Sequence, residues 1–161
     1  MATADLFFFN MKEDILSYDT DRSLLVCRST SGNVKRWLKK LENITFIASI
    51  IEDSERYYVM GESAETLGEY HALDKSDGSS TWFIPGRAFF HIIHAGYLFL
   101  IFIDEKNLYW LLKVDTVRGT TIWHHRVDAD LEGYRFRRNE ITLTFRSGAR
   151  TKLDTETGRE I

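Results

Sequence analysis

The chain has 161 residues, a formal net charge of −3, 43% hydrophobic residues and 14% aromatic residues. That length can bury a core within one domain, and the near-balanced charge argues against the dense basic stripe of a nucleic-acid binder. One cysteine, Cys27, excludes an internal disulfide, and one proline with ten glycines leaves no room for a long Pro/Gly linker.

The elements follow in chain order. Leu6–Phe9 is apolar but short, and it meets Lys12, Glu13 and Asp14 at once, so it reads as a strand and not as a secretory leader. With Asp5–Asn10, Asp14–Tyr18, Ser23–Arg28 and Asn33–Leu38 it makes a first set of four strand-like pieces. Val34, Trp37, Leu38 and Leu41 are spaced like a helix face, but the register of the whole chain assigns Val34–Leu38 to a strand. Residues 44–51, 56–60, 69–73 and 79–84 make a second set, with a longer loop from Gly61 to Gly68. Residues 88–93, 97–103, 108–114 and 120–125 make a third, rich in aromatic and β-branched residues and bounded by Gly, Asn and Asp turns. The run 97–103 is the most apolar, far below the roughly 18 residues of a membrane span. Residues 131–137, 140–146, 149–153 and 159–161 make the fourth set, in which Ile141, Leu143 and Phe145 alternate with polar residues.

A short phrase recurs at the third turn of each set. Leu73-Asp74 to Gly78 leads to Trp82, and Val114-Asp115 to Gly119 leads to Trp123. Leu153-Asp154 to Gly158 repeats it without a following Trp before Ile161. Cys27 to Gly32, then Trp37, reads as a degraded copy with one extra residue. The glycines recur about every 40 residues, the period of propeller blades. Asp can accept hydrogen bonds from N–H groups two or three residues on, Gly can take positive φ, and Trp covers the joint between blades.

This phrase resembles the blade motif of pyrroloquinoline-quinone-type (quinoprotein-like) β-propellers. The resemblance implies an all-β, propeller-like fold of four repeats of four-stranded antiparallel sheets. The expected organisation is a single domain over 1–161, with blades at about 1–40, 41–85, 86–127 and 128–161. Cofactor use is not carried over, because the quinone dehydrogenases with this blade are longer chains with a calcium site and commonly a vicinal disulfide.

Candidate chemistry is sparse. His91 and His94 lie three apart and would point to opposite faces of a strand, as would His124 and His125, so no metal is expected. Neither Asp74–Gly78 nor Asp19–Asp21 has the spacing of a calcium loop. No Gly-x-Ser-x-Gly and no phosphate loop occurs, so no catalytic residue and no cofactor are assigned. Charge is uneven: residues 41–85 hold nine acidic and two basic residues, while residues 118–161 hold nine basic and seven acidic ones.

The expectation is a non-catalytic, cytoplasmic protein-interaction or scaffold module. Its contact residues are assigned to Glu52, Asp53, Glu55, Glu62 and Glu65 on an acidic surface, and to Arg135, Arg137 and Arg138 on a basic one. Two copies could complete a larger ring, and the unfinished phrase at Gly158 marks an edge for a partner. The alternative is a small-ligand or carbohydrate-binding propeller. Neither a membrane nor nucleic acid is an expected partner.

Overall fold

The computed structural model of the chain describes residues 5–64 and 67–161, and these are all-β. Sheet 1 runs in the order β1 (Leu6–Asn10), β2 (Asp14–Asp19), β3 (Leu24–Ser29), β4 (Lys35–Lys40). Sheet 2 follows as β5 (Phe46–Glu52), β6 (Arg56–Ala64), β7 (Leu67–Asp74), β8 (Ser80–Pro85). Sheet 3 is β9 (Arg87–His94), β10 (Tyr97–Ile103), β11 (Tyr109–Val114), β12 (Thr121–Val127). Sheet 4 has β13 (Leu131–Phe136), β14 (Glu140–Phe145) and β15 (Arg150–Asp154), with one further bridge, Leu153 to Glu160. Each sheet is an antiparallel meander, because sequential strands joined by tight turns pair with their neighbours.

Two compact units form, Met1–Ala88 and Phe89–Ile161. In the first, Leu16, Tyr18, Leu25, Cys27 and Trp37 of sheet 1 pack against Ile47, Ile50, Tyr57 and Val59 of sheet 2. In the second, Phe99, Ile101 and Leu111 of sheet 3 pack with Ile141, Leu143, Phe145 and Leu153 of sheet 4. Each core is sheet on sheet, so alternate residues of every contributing strand are drawn inward.

Within each unit the sheets are joined by the same device. The Trp37 ring lies on Gly78, and its Nε1–H donates to the carbonyl of Lys75 at 2.8 Å. The Trp123 ring lies on Gly158, and its Nε1–H donates to the carbonyl of Thr155 at 3.1 Å. The residue receiving that bond is anchored from behind. The Lys75 N–H donates to Glu55 O at 3.0 Å, and the Thr155 N–H to Asn139 O at 3.1 Å, across the neighbouring turn of the same sheet. Gly78 and Gly158 have φ of 73° and 68°, and a Cβ at Gly158 would stand 2.6 Å from the Trp123 ring.

The first turn departs from the reading given by glycine spacing. It contains no extra residue. Asn33 N–H donates to Ser29 O and Ser29 N–H to Val34 O, the pattern made at Asp74, Gly78 and Ser79. Positive φ falls on Asn33 (50°), so Ser29 stands where the other copies have Asp, and Asn33 where they have Gly. A bulge two residues before the turn, at Cys27, Ala72 and Lys113, confirms the alignment. Trp37 then follows Ser29 by eight residues, as Trp82 follows Asp74 and Trp123 follows Asp115. Asn tolerates the left-handed region better than most residues, which is why the turn survives the exchange.

The expected loop from Gly61 to Gly68 is also corrected. The pairing continues along it, β6 to Ala64 and β7 from Leu67, with a register shift between Glu62 and Ala64, and residues 65 and 66 lie outside the described ones. Gly68 has no room for a side chain, since a Cβ there would overlap the Gly61 carbonyl oxygen and crowd the Arg87 backbone.

Gly78→Ala or Gly158→Ala will destabilise by about 1–3 kcal/mol in urea unfolding, from positive φ and collision with an indole. Asn33→Gly, where no ring is in the way, will stay within about 0.5 kcal/mol of the natural protein. Equal losses at Gly78 and Asn33 would show that the Trp contact is unimportant.

His91 supplies a pH test. Burial holds its imidazole down to about 4, so it stays neutral in the folded state while the unfolded chain takes up a proton below about 6.5. Stability is therefore full above pH 6.5 and falls as pH drops from 6.5 towards 4, by up to about 3 kcal/mol. His91→Gln will flatten that part of the stability–pH curve.

Candidate functional site

The acidic residues assigned to a partner surface are largely engaged within the fold. Asp53 caps the β5–β6 turn, accepting from the N–H groups of Glu55 (2.8 Å) and Arg56 (2.7 Å) and from the Tyr58 hydroxyl (2.6 Å). Burial pushes its carboxyl up, but those hydrogen bonds outweigh burial and hold it below the ordinary aspartate value. Glu52 accepts from Lys75 Nζ at 2.5 Å and from the Lys12 N–H at 2.6 Å. Glu62 pairs with Arg87 at 3.2 Å. Glu55 is exposed beside Arg56. Glu65 lies outside the described residues. A run of carboxylates in the sequence is thus mostly a set of caps and ion pairs.

The basic residues are placed differently. Sheet 4 has one apolar and one charged face, set by register. Phe136, Ile141 and Leu153 form an apolar row, and Tyr134 with Leu143 lies on the same side. The alternate rows are Arg135–Thr142–Lys152 and Thr144–Arg150. With Arg137 and Glu140 these side chains line a groove of about 430 Å³. Glu140 accepts from Lys152 at 3.2 Å and from Thr142 at 3.0 Å, and the Lys152 ammonium is the main reason its carboxyl sits below the usual value. Arg135, Arg137 and Arg150 have no carboxylate within ion-pair distance among the described residues. Arg138 lies past the end of β13 and contributes its carbonyl, which accepts from Thr155 Oγ1 at 3.4 Å.

A second concavity, of about 610 Å³, lies between sheets 1 and 2 and is lined by Asp14, Lys35, Arg36, Ser54, Tyr57 and Lys75, among others. Asp14 is buried at the start of β2. Its Oδ2 accepts from the Tyr57 hydroxyl and from Arg36 Nη1 at 3.2 Å, while its Oδ1 has no partner. The Cys27 thiol is pushed up to about 12, first by burial and then by the Asp14 carboxylate, so it is a neutral core thiol. Sequence reasoning missed Asp14 because its partners come from two sheets, 22 and 43 positions away.

Sequence reasoning also missed Lys113, whose side chain is buried in sheet 3. Its Nζ sits 4.0 Å from the centre of the Tyr97 ring and 3.3 Å from Glu156. These contacts stabilise the ammonium where water is excluded. Only its place two residues before Asp115, where the first two repeats carry Cys27 and Ala72, could have marked it as an inward position.

No family model and no curated protein matches the chain. The fold is that of β-propellers, quinoproteins among them, as solved structures show. The chain is similar to BamB from Moraxella catarrhalis, with a TM-score of 0.68 and 14% identity over 97% of this chain and 50% of that one. It is similar to the dihydro-heme d1 dehydrogenase NirN, with a TM-score of 0.72 and 14% identity over 97% of this chain and 36% of that one. It is similar to the quinohemoprotein alcohol dehydrogenase of Comamonas testosteroni, with a TM-score of 0.66 and 10% identity over 99% of this chain and 34% of that one. The chain therefore spans half or less of the length of these structures. At such identities the likeness is one of blades, and enzymes are among the proteins that share them.

Asp14→Ala will leave the Tyr57 hydroxyl and the Arg36 guanidinium without their acceptor, lowering urea stability by about 2–4 kcal/mol. Asp14→Asn, which keeps the shape and an acceptor, will lose less. If both variants match the natural protein, the buried carboxylate contributes nothing to joining the sheets.

Proposed function

We propose that the chain is a non-catalytic interaction module that takes an acidic segment of another protein on the charged face of sheet 4. One observation carries this reading: Arg135, Arg137 and Arg150 share a single wet face beside Lys152, and Glu140 is the one acid lining the groove there. A blade packed on both sides would be apolar on both faces, because alternate residues of every strand would be buried. Here one face is drawn into the core and the other is built from guanidinium groups with threonines between them. Arginine presents a planar fork of donors that suits carboxylates. The threonine hydroxyls add donors to an extended chain lying along the groove.

A second reading, a small anionic ligand, is favoured by the concavity at Asp14. There Lys35, Arg36 and Lys75 stand near a carboxylate with one unused oxygen. Tyr57 is fully buried in that wall and offers no platform for stacking a sugar.

The principal test is binding of a fluorescent Asp/Glu-rich peptide. Arg135→Glu combined with Arg150→Glu will weaken it at least about tenfold, and raising salt from about 50 to about 500 mM will act in the same direction. Lys35→Glu, placed in the other concavity on an exposed side chain, will leave peptide binding unchanged. Loss of binding with Lys35→Glu but not with the double variant would move the site to the cleft between sheets 1 and 2.

A further inference from the structure

Strand β7 carries an imidazole whose bonding is half complete. Glu69, His71 and Leu73 alternate along one face of the strand, the face whose Leu73 packs in the core between sheets 1 and 2. His71 Nε2 lies 2.7 Å from Glu69 Oε2, and Asn43 Nδ2 donates to the other carboxylate oxygen at 2.9 Å. An ionised carboxylate only accepts, so Nε2 carries the ring proton and Nδ1 is a bare acceptor. Nδ1 is buried without a partner among the described residues, and the His71 side chain is 10% exposed. Burial is the main reason the imidazole titrates below its ordinary value; Glu69 opposes it and Lys39 adds to it, so the ring is neutral at pH 7. A buried acceptor with no donor costs free energy that an incoming donor would recover.

His71 also lines a pocket of about 420 Å³ whose walls all belong to the first unit, from Lys39 of β4 to Phe83 of β8. Phe83 pairs with His71 across the two strands and stacks on it, with ring centroids 5.5 Å and planes 19° apart. It is nevertheless 55% exposed, so ring surface remains for another molecule. Lys39 shares its face of β4 with the buried Trp37, is half-buried, and has no carboxylate within ion-pair distance among the described residues. The remaining charged groups of the pocket are already matched, Lys40 with Glu42 at 3.1 Å and Glu69 with His71. Three unlike groups therefore stand open in one place: an aromatic surface, a cation and a neutral acceptor.

From these observations we infer that the pocket binds a small planar aromatic acid carrying a ring hydroxyl or N–H. Its ring lies against Phe83, its acid group meets Lys39, and its hydroxyl or N–H donates to His71 Nδ1. An aliphatic acid would leave the aromatic surface uncovered, and an uncharged ring would leave Lys39 unmatched. A sugar supplies donors but neither the charge nor the flat face. The volume falls in the range of small-molecule sites. This site is separate from the groove of sheet 4 and from the cleft at Asp14, and it does not rest on the acidic-segment reading.

Titration of the isotopically labelled protein with para-hydroxybenzoate, followed by NMR, tests it. The probe will saturate with a dissociation constant of about 0.1–1 mM, the strength available to a ligand of about ten heavy atoms. The His71 Nδ1 resonance will move on binding while Nε2 stays protonated. Benzoate lacks the donor, phenol lacks the acid, and the cyclohexane analogue lacks the flat ring; each will bind at least about threefold more weakly. Lys39→Gln and Phe83→Leu, neither of them at a fully buried position, will each weaken binding by a similar factor, at least about threefold. Arg135→Glu with Arg150→Glu will leave it unchanged. Affinity will fall as pH is lowered from about 7 to about 5, because protonation converts Nδ1 from acceptor to donor. The inference is overturned if no probe saturates below about 10 mM, if all four bind alike, or if binding survives both Lys39→Gln and Phe83→Leu. Loss of binding with the Arg135/Arg150 double variant alone also overturns it, in favour of the groove of sheet 4.

Discussion

The hydrogen bond from an indole N–H to a single peptide carbonyl organises each of the two units. At Lys75 and at Thr155 one residue faces two ways, its N–H tied to its own sheet and its carbonyl tied to the sheet before it. Its N–H and carbonyl belong to successive peptide planes that share one Cα, so anchoring the first plane on the neighbouring turn restricts where the second can present its carbonyl to the indole. Around this contact the ring excludes water from the bond and covers a glycine that has no side chain to interfere. The core rows of both sheets are held opposite one another as a result, which is why Leu16, Tyr18 and Cys27 meet Ile50, Tyr57 and Val59 in register.

Charge is sorted by the same geometry. A strand alternates its side chains, so a sheet covered on one side must choose a chemistry for the other. On the side away from its core, sheet 4 carries arginine, lysine and threonine, while sheet 1 carries a mixture in which Leu6, Phe8, Val26 and Leu38 alternate with Ser17, Asp19, Arg28 and Lys40. The acids concentrated in residues 41–85 have been consumed locally, as turn caps and as partners of Lys75 and Arg87. The groove of sheet 4, and not the acidic loops, therefore holds the arginines that have no carboxylate at ion-pair distance among the described residues.

Much of the fold was legible in the sequence. Strand runs and Gly/Asp turns repeat with a period that few architectures share, and the strand bounds follow the aromatic and β-branched runs closely. The fourth set matched the alternation of Ile141, Leu143 and Phe145 with polar residues. Glycine spacing misled at one place, because Asn33 replaces glycine in the first turn and Gly32 beside it draws the eye. The turn's own hydrogen bonds, together with the constant interval from Ser29 to Trp37, restore the register. Sites were less legible because charge in a sequence carries no partner information. Glu52 and Asp53 looked like surface acids and are structural, whereas Arg150 and Lys152 passed unnoticed until pairing set them beside Arg135. Asp14 and Lys113, both buried and charged, depend on residues from distant strands and leave no local signal.

The asparagine at position 33 carries a meaning beyond its own turn. Asn reaches the left-handed region with less freedom to lose from the unfolded chain than glycine, so a turn with room for a Cβ can dispense with glycine. The turns at Gly78 and Gly158 have no such room, because the rings of Trp37 and Trp123 stand where a Cβ would go. The indole thus decides which copies of the turn must stay glycine and which are free to drift.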